Sequence, residues 1–102
     1  MSRSDVPRLS QKEALVLGLL GASDGLYGLQ MVADSRGGLK RGTIYVTLGR
    51  MEDKGLIRSW TEDAPESAGG LPRRLYAATP QGLRIYKAWS AFLRQLKPAV
   101  SR

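Results

Sequence analysis

Residues 40–60, Lys-Arg-Gly-Thr-Ile-Tyr-Val-Thr-Leu-Gly-Arg-Met-Glu-Asp-Lys-Gly-Leu-Ile-Arg-Ser-Trp, constrain the fold more than any other stretch. Ile44, Leu48 and Met51 recur at the spacing of one helix face, and Gly55 supplies the stop. A run with β character, residues 56–60, follows at once. Away from the apolar stripe the helix carries Thr43, Tyr45, Thr47 and Arg50, with Lys40 and Arg41 just before its first turn. A helix that buries one side and offers hydroxyls and guanidiniums on the other suits the major groove of DNA.

The charge distribution points the same way. The net charge is +7. Residues 1–66 hold nine Lys/Arg against nine Asp/Glu, so they balance. Residues 67–102 hold Arg73, Arg74, Arg84, Lys87, Arg94, Lys97 and Arg102 and no acid. Such an asymmetry favours a polyanionic partner through phosphate attraction and counterion release, with a solvated basic surface as the plain alternative. A chain of 102 residues is one domain with one modest core. It has no cysteine and no histidine, which excludes disulfides and thiolate metal sites and removes the commonest acid–base catalyst. No catalytic residue, metal site or cofactor is assigned, and an enzyme is the weakest reading. No apolar run approaches the roughly 20 residues that span a bilayer. The first residues lack the apolar core of a signal peptide, so no membrane partner and a cytoplasmic location are expected.

Along the chain, residues 1–9 read as a flexible tail. Ser10 and Glu13 form a capping box that starts a helix rich in Ala14, Leu15, Leu17, Leu19 and Leu20. Apolar on much of its surface, this helix should pack on several partners, another subunit among them. Residues 26–34 read as a short second helix with Leu26, Leu29, Val32 and Ala33 as its apolar positions, stopped by Gly37 and Gly38. The next helix is a handful of residues away, as a helix-turn-helix requires. Residues 56–61 and 73–79 read as two strands, and the polar, turn-rich residues 62–72 between them as a mobile hairpin tip. The fold class is therefore mainly α with a small β-hairpin: a winged helix-turn-helix over residues 10–79.

Thr79 as N-cap and Pro80 at the first helical position start the last helix, which runs to about Leu96. One stripe of it holds Leu83, Tyr86, Ser90, Leu93 and Leu96, a second Ile85, Trp89 and Phe92. Apolar surface this wide on the terminal helix of a small protein calls for a partner. Residues 80–102 are read as a dimerisation helix and tail, with Leu83, Tyr86, Trp89, Leu93 and Leu96 at the interface.

Taken in order, these motifs resemble the PadR family of bacterial transcription regulators. The residues that carry the resemblance are Leu26-Tyr27-Gly28, Gly42-Thr43-Ile44-Tyr45, Leu48, Met51 and Lys54-Gly55-Leu56-Ile57. Arg74-Leu75-Tyr76 and Thr79-Pro80-Gln81-Gly82 complete the set, which spans roughly residues 10–96. Many relatives have a small hydroxyl residue where Lys40 stands and a proline where this chain has Val46. With a single C-terminal helix, the chain resembles the short subgroup. The resemblance implies a homodimeric repressor on a palindromic operator, dimerised through the C-terminal helix with help from the first. It also implies an effector, a small aromatic or cationic compound that weakens DNA binding.

Within that frame the DNA-contacting residues are Lys40, Arg41, Thr43, Tyr45, Thr47, Arg50, Arg73 and Arg74. Tyr45 is either a core aromatic or a groove contact; its offset of about 100° from Ile44 favours a phosphate or base edge. Arg50, one turn later, suits a phosphate, and Lys40 and Arg41 suit phosphate anchors. Strand alternation should send Arg73 and Arg74 to opposite faces, so that only one touches DNA. Trp89 and Phe92 either pack the dimer interface or flank a pore that takes a planar ligand. Trp60 reads as core or wing-base packing. The competing class is a winged-helix module that binds a protein instead of DNA, whose recognition face would be apolar and uncharged.

Overall fold

The computed structural model describes residues 8–63 and 72–96. The element order is α1 (Gln11–Leu20), β1 (Leu26–Tyr27), α2 (Gly28–Asp34), α3 (Ile44–Asp53), β2 (Ile57–Glu62), β3 (Arg73–Ala78) and α4 (Pro80–Leu96). The residues read as a hairpin tip, 64–71 in particular, lie outside the described residues, as do 1–7 and 97–102.

The capping box at Ser10 forms as the sequence indicates. The Glu13 amide donates to Ser10 Oγ (3.0 Å), and the Ser10 amide donates to Glu13 Oε1 (2.9 Å). Leu9, placed in the tail by sequence, is buried in the core cluster. The core lies where α1 meets α3 and the sheet, around Val16, Leu17, Leu20, Met31, Ile44, Leu48, Met51 and Ile57. Helix α1 packs against α2, α3, α4 and β3, which explains its breadth of apolar residues.

The second element differs from the sequence reading. Leu26 and Tyr27 are not helical but form β1, antiparallel to β3 in the register Leu26↔Tyr76 and Tyr27↔Leu75. The sheet order is β1-β3-β2, so the wing hairpin is backed by a third strand. Local pattern could not show this, because the partner backbone lies some 50 residues on. Leu26 and Val32 pack against the core as their apolar character suggests, but the other expected positions do not. Met31 is fully buried, whereas Leu29 is 45% exposed and Ala33 is exposed. The helix ends at Ser35, before the glycines. The Ser35 hydroxyl donates to the Val32 carbonyl (2.8 Å) and accepts from the Leu39 amide (2.9 Å). Arg36 (φ 52°) and Gly37 (φ 95°) then reverse the chain in the left-handed region.

The turn after α3 is built by Gly55, at φ 78°. The Gly55 amide donates to the Glu52 carbonyl and the Leu56 amide to the Met51 carbonyl, each at 3.0 Å, which closes a Schellman motif. Thr79 docks on this turn: its hydroxyl donates to the Gly55 carbonyl (2.7 Å) and accepts from the Gly82 amide (2.9 Å). Gly82 sits so close that an added Cβ would collide with the Leu56 carbonyl oxygen. Two motifs 25 residues apart in sequence therefore form one joint, which fixes α4 against the end of α3.

Candidate nucleic-acid interface

Ile44, Leu48 and Met51 bury one side of α3 completely, so the helix is held with its opposite side to solvent. Lys40, Arg41, Thr43, Tyr45 and Arg50 are all exposed, and Thr47 is half-buried. Thr43 stands at the N-cap but makes no side-chain capping bond. The chain enters the helix instead through a backbone turn, with the Thr43 and Ile44 amides donating to the Lys40 carbonyl (3.2 and 2.9 Å).

Tyr45 is 52% exposed. Its ring lies over Gly28, where a Cβ would come within 2.7 Å of Tyr45 Cε1. The glycine of Leu-Tyr-Gly thus provides the seat for the tyrosine of Gly-Thr-Ile-Tyr. A groove of about 290 Å³ continues from Tyr45 to Leu29 on one side and Arg73 and Arg74 on the other. The two arginines leave opposite faces of β3, as alternation requires, yet both border this groove. Arg73 lies over the Tyr27 ring at 5.2 Å, and Arg74 donates to Ser59 Oγ (2.9 Å). Two carboxylates temper the charge here: the Tyr27 hydroxyl donates to Glu62 (2.6 Å) and the Ser59 hydroxyl to Glu52 (2.7 Å). The first of these bonds holds the Tyr27 phenol above its ordinary pKa.

On its other flank α3 faces the start of α1 across a groove of about 340 Å³ lined by Ser10, Lys12, Glu13, Thr43, Val46, Thr47 and Arg50. Sequence reasoning missed Lys12, since only the packing of α1 on α3 brings it to the same groove as Arg50. It also missed Val46, 56% exposed at about 200° around the helix from Ile44. A helical wheel drawn from Ile44 would have found it. Glu13 is buried at the edge of the groove and accepts from Lys54 Nζ (2.6 Å). Burial alone would raise its pKa; the Lys54 ammonium and the Ser10 amide and hydroxyl outweigh that and hold it below the ordinary value.

The second candidate region lies between α1 and α4. Tyr86 and Trp89 pack against the core from α4, leaving a cleft of about 570 Å³ bordered by Leu15, Trp89, Ser90 and Leu93. Phe92 does not line it; its ring stacks on Trp89 with centroids 5.5 Å apart. Leu83 is half-buried, while Leu93, at the rim of the cleft, is 41% exposed and Leu96 is 59% exposed. Trp60 packs at the wing base, between Leu75 and Gly25, with Arg58 4.8 Å above its ring.

This order of elements, with α3 presented beside a two-stranded wing, is that of a winged helix. The family model for "Transcriptional regulator PadR-like family" matches residues 16–88. The chain belongs to the PadR-like family. Among solved structures, a PadR-family transcriptional regulator from Eggerthella lenta is 30% identical, with 82% of this chain and 72% of that one covered at a TM-score of 0.69. A PadR-family transcription regulator from Clostridium difficile R20291 is 28% identical, with 85% and 91% covered at a TM-score of 0.72. The PcaV transcriptional regulator from Streptomyces coelicolor, solved with its natural ligand, is 27% identical, with 88% and 58% covered at a TM-score of 0.65. No curated protein matches. This PadR-like chain is thus a regulator of a DNA-binding family. Among its described residues no helix is long and apolar enough to cross a membrane.

Proposed function

We propose that the chain is one subunit of a homodimeric repressor that reads a pseudo-palindromic operator with α3 and releases it when a small aromatic or cationic ligand binds. The observation that carries the DNA reading is the side of α3 left to solvent. Tyr45 and Arg50 sit there, with Lys12 on one flank, Arg73 and Arg74 on the other, and the exposed Lys40 and Arg41 just before the first turn. Backbone phosphates would meet the flanking cations while Thr43, Tyr45 and Thr47 reach the groove. The exposed Leu93 and Leu96 support a second copy of α4 as the partner of residues 80–102. The cleft beside Trp89 supports a ligand in the same region, as does the ligand-bound PcaV neighbour. Release then requires the ligand to prefer a dimer geometry in which the two α3 helices no longer match the half-sites. Such a protein is not an enzyme, and neither metal nor cofactor enters its work.

Selection of bound duplexes from a random pool, followed by titration at low salt, tests this reading. A preferred duplex bound at nanomolar concentration is the expected result. Weak, sequence-blind binding would favour the alternative, a winged-helix module that binds protein.

A further inference from the structure

Among the described residues, three glycines lie within helices beyond the first residue: Gly18, Gly49 and Gly82. Glycine is a poor helix former, because its backbone loses the most freedom on ordering. Two of the three have a cause inside the chain. A Cβ at Gly18 would lie 3.0 Å from the Tyr86 hydroxyl, and one at Gly82 would strike the Leu56 carbonyl. Gly49 has none: among the described residues nothing stands within 4 Å of where its Cβ would be. One turn earlier, on the same side of α3, Val46 exposes a β-branched apolar side chain, also a weak helix former. Val46 faces directly away from the buried stripe and Gly49 lies about 60° round from Val46, both between Tyr45 and Arg50. Neither choice serves the fold, so the partner that explains them lies outside the chain.

We propose that Val46 and Gly49 are specificity-determining residues of α3, together reading a thymine in each half-site. The inference rests on the DNA-binding reading above. Without a side chain, Gly49 lets the helix backbone approach the base edges more closely than alanine would permit. Val46 can neither donate nor accept a hydrogen bond. In the major groove the one apolar group a base offers is the thymine C5-methyl, and the valine methyls pack on that. The cations on either flank hold phosphates and carry no such preference.

Deoxyuridine lacks only that methyl, which makes it the probe. The duplex preferred by the wild-type protein is rebuilt with each thymine in turn replaced by deoxyuridine, and affinities are measured at one fixed salt concentration. One position per half-site should weaken wild-type binding about fourfold, the value of one buried methyl. Val46→Ala should lose that sensitivity. Gly49→Ala should melt a few degrees higher, bind the preferred duplex at least about tenfold more weakly, and bind a scrambled duplex as the wild type does. A uridine scan with no sensitive position, an unchanged scan in Val46→Ala, or full affinity in Gly49→Ala would overturn the proposal while leaving DNA binding intact. A wild-type protein that prefers no duplex would instead overturn the DNA-binding reading, and this inference with it.

Discussion

Thr79 shows how much a single side chain can organise in this fold. Its hydroxyl caps α4 and also donates to the turn that ends α3, and Gly82 beside it brings the two backbones into contact. Gly82→Ala should therefore lower unfolding free energy by about 1–3 kcal/mol, read from thermal or denaturant melts, although alanine is the better helix former. Glu13 and Lys54 tie the start of α1 to the end of α3 in the same manner. Lys54→Ala leaves a buried carboxylate without its cation and should destabilise by about 1 kcal/mol, a modest figure because the lysine is more than half exposed. Because the folded-state pKa of Glu13 is lowered, its contribution is present above the ordinary carboxylate pKa and is lost as pH falls through the lowered value. Lys54→Ala should accordingly destabilise less in acid than at neutral pH, a difference that melts at two pH values would measure. On the recognition side, Arg50→Ala should weaken specific and scrambled duplexes alike, and lower the dependence of log K on log salt by about 0.9 if it meets one phosphate.

At the scale of elements, α4 carries the next prediction. Leu93→Asp with Leu96→Asp places two carboxylates on the exposed end of the helix, away from the core that holds Ile85, Tyr86 and Trp89. The variant should stay folded by circular dichroism yet sediment as a monomer; an unchanged sedimentation coefficient would remove α4 from the dimer interface. Most elements were legible because their signals are local. The capping box at Ser10, Thr79-Pro80 and the glycine at position 55 each act on backbone within a few residues. Strand β1 was not, because Leu26 and Tyr27 become a strand only through the backbone of Leu75 and Tyr76. In a helix this short the apolar residues do not single out one face: Val32 packs on the core beside Met31, whereas Leu29 is left exposed. The same limit hid Lys12 from the candidate interface, since only packing brings it to the groove that Arg50 lines. Val46 was hidden differently: it entered as a departure from family pattern, not as a side chain with a direction.

For the whole molecule the controlling quantities are charge and symmetry. The excess of +7 comes from residues 67–102, whereas the residues of α3 that face solvent include uncharged Tyr45, Val46 and Gly49. The proposed function therefore assigns attraction and selectivity to different parts of the chain: the cations after residue 66, Arg73 and Arg74 of β3 among them, would draw in phosphate, and α3 would choose the sequence. Raising salt should weaken preferred and scrambled duplexes along nearly parallel lines, because the shared term is counterion release. The most direct test of a dimeric reader is a hydroxyl-radical footprint on the preferred duplex. Two protected patches related by a dyad, with centres about one helical turn or roughly 34 Å apart, are the predicted result. A single patch, or protection with no two-fold symmetry, would contradict it.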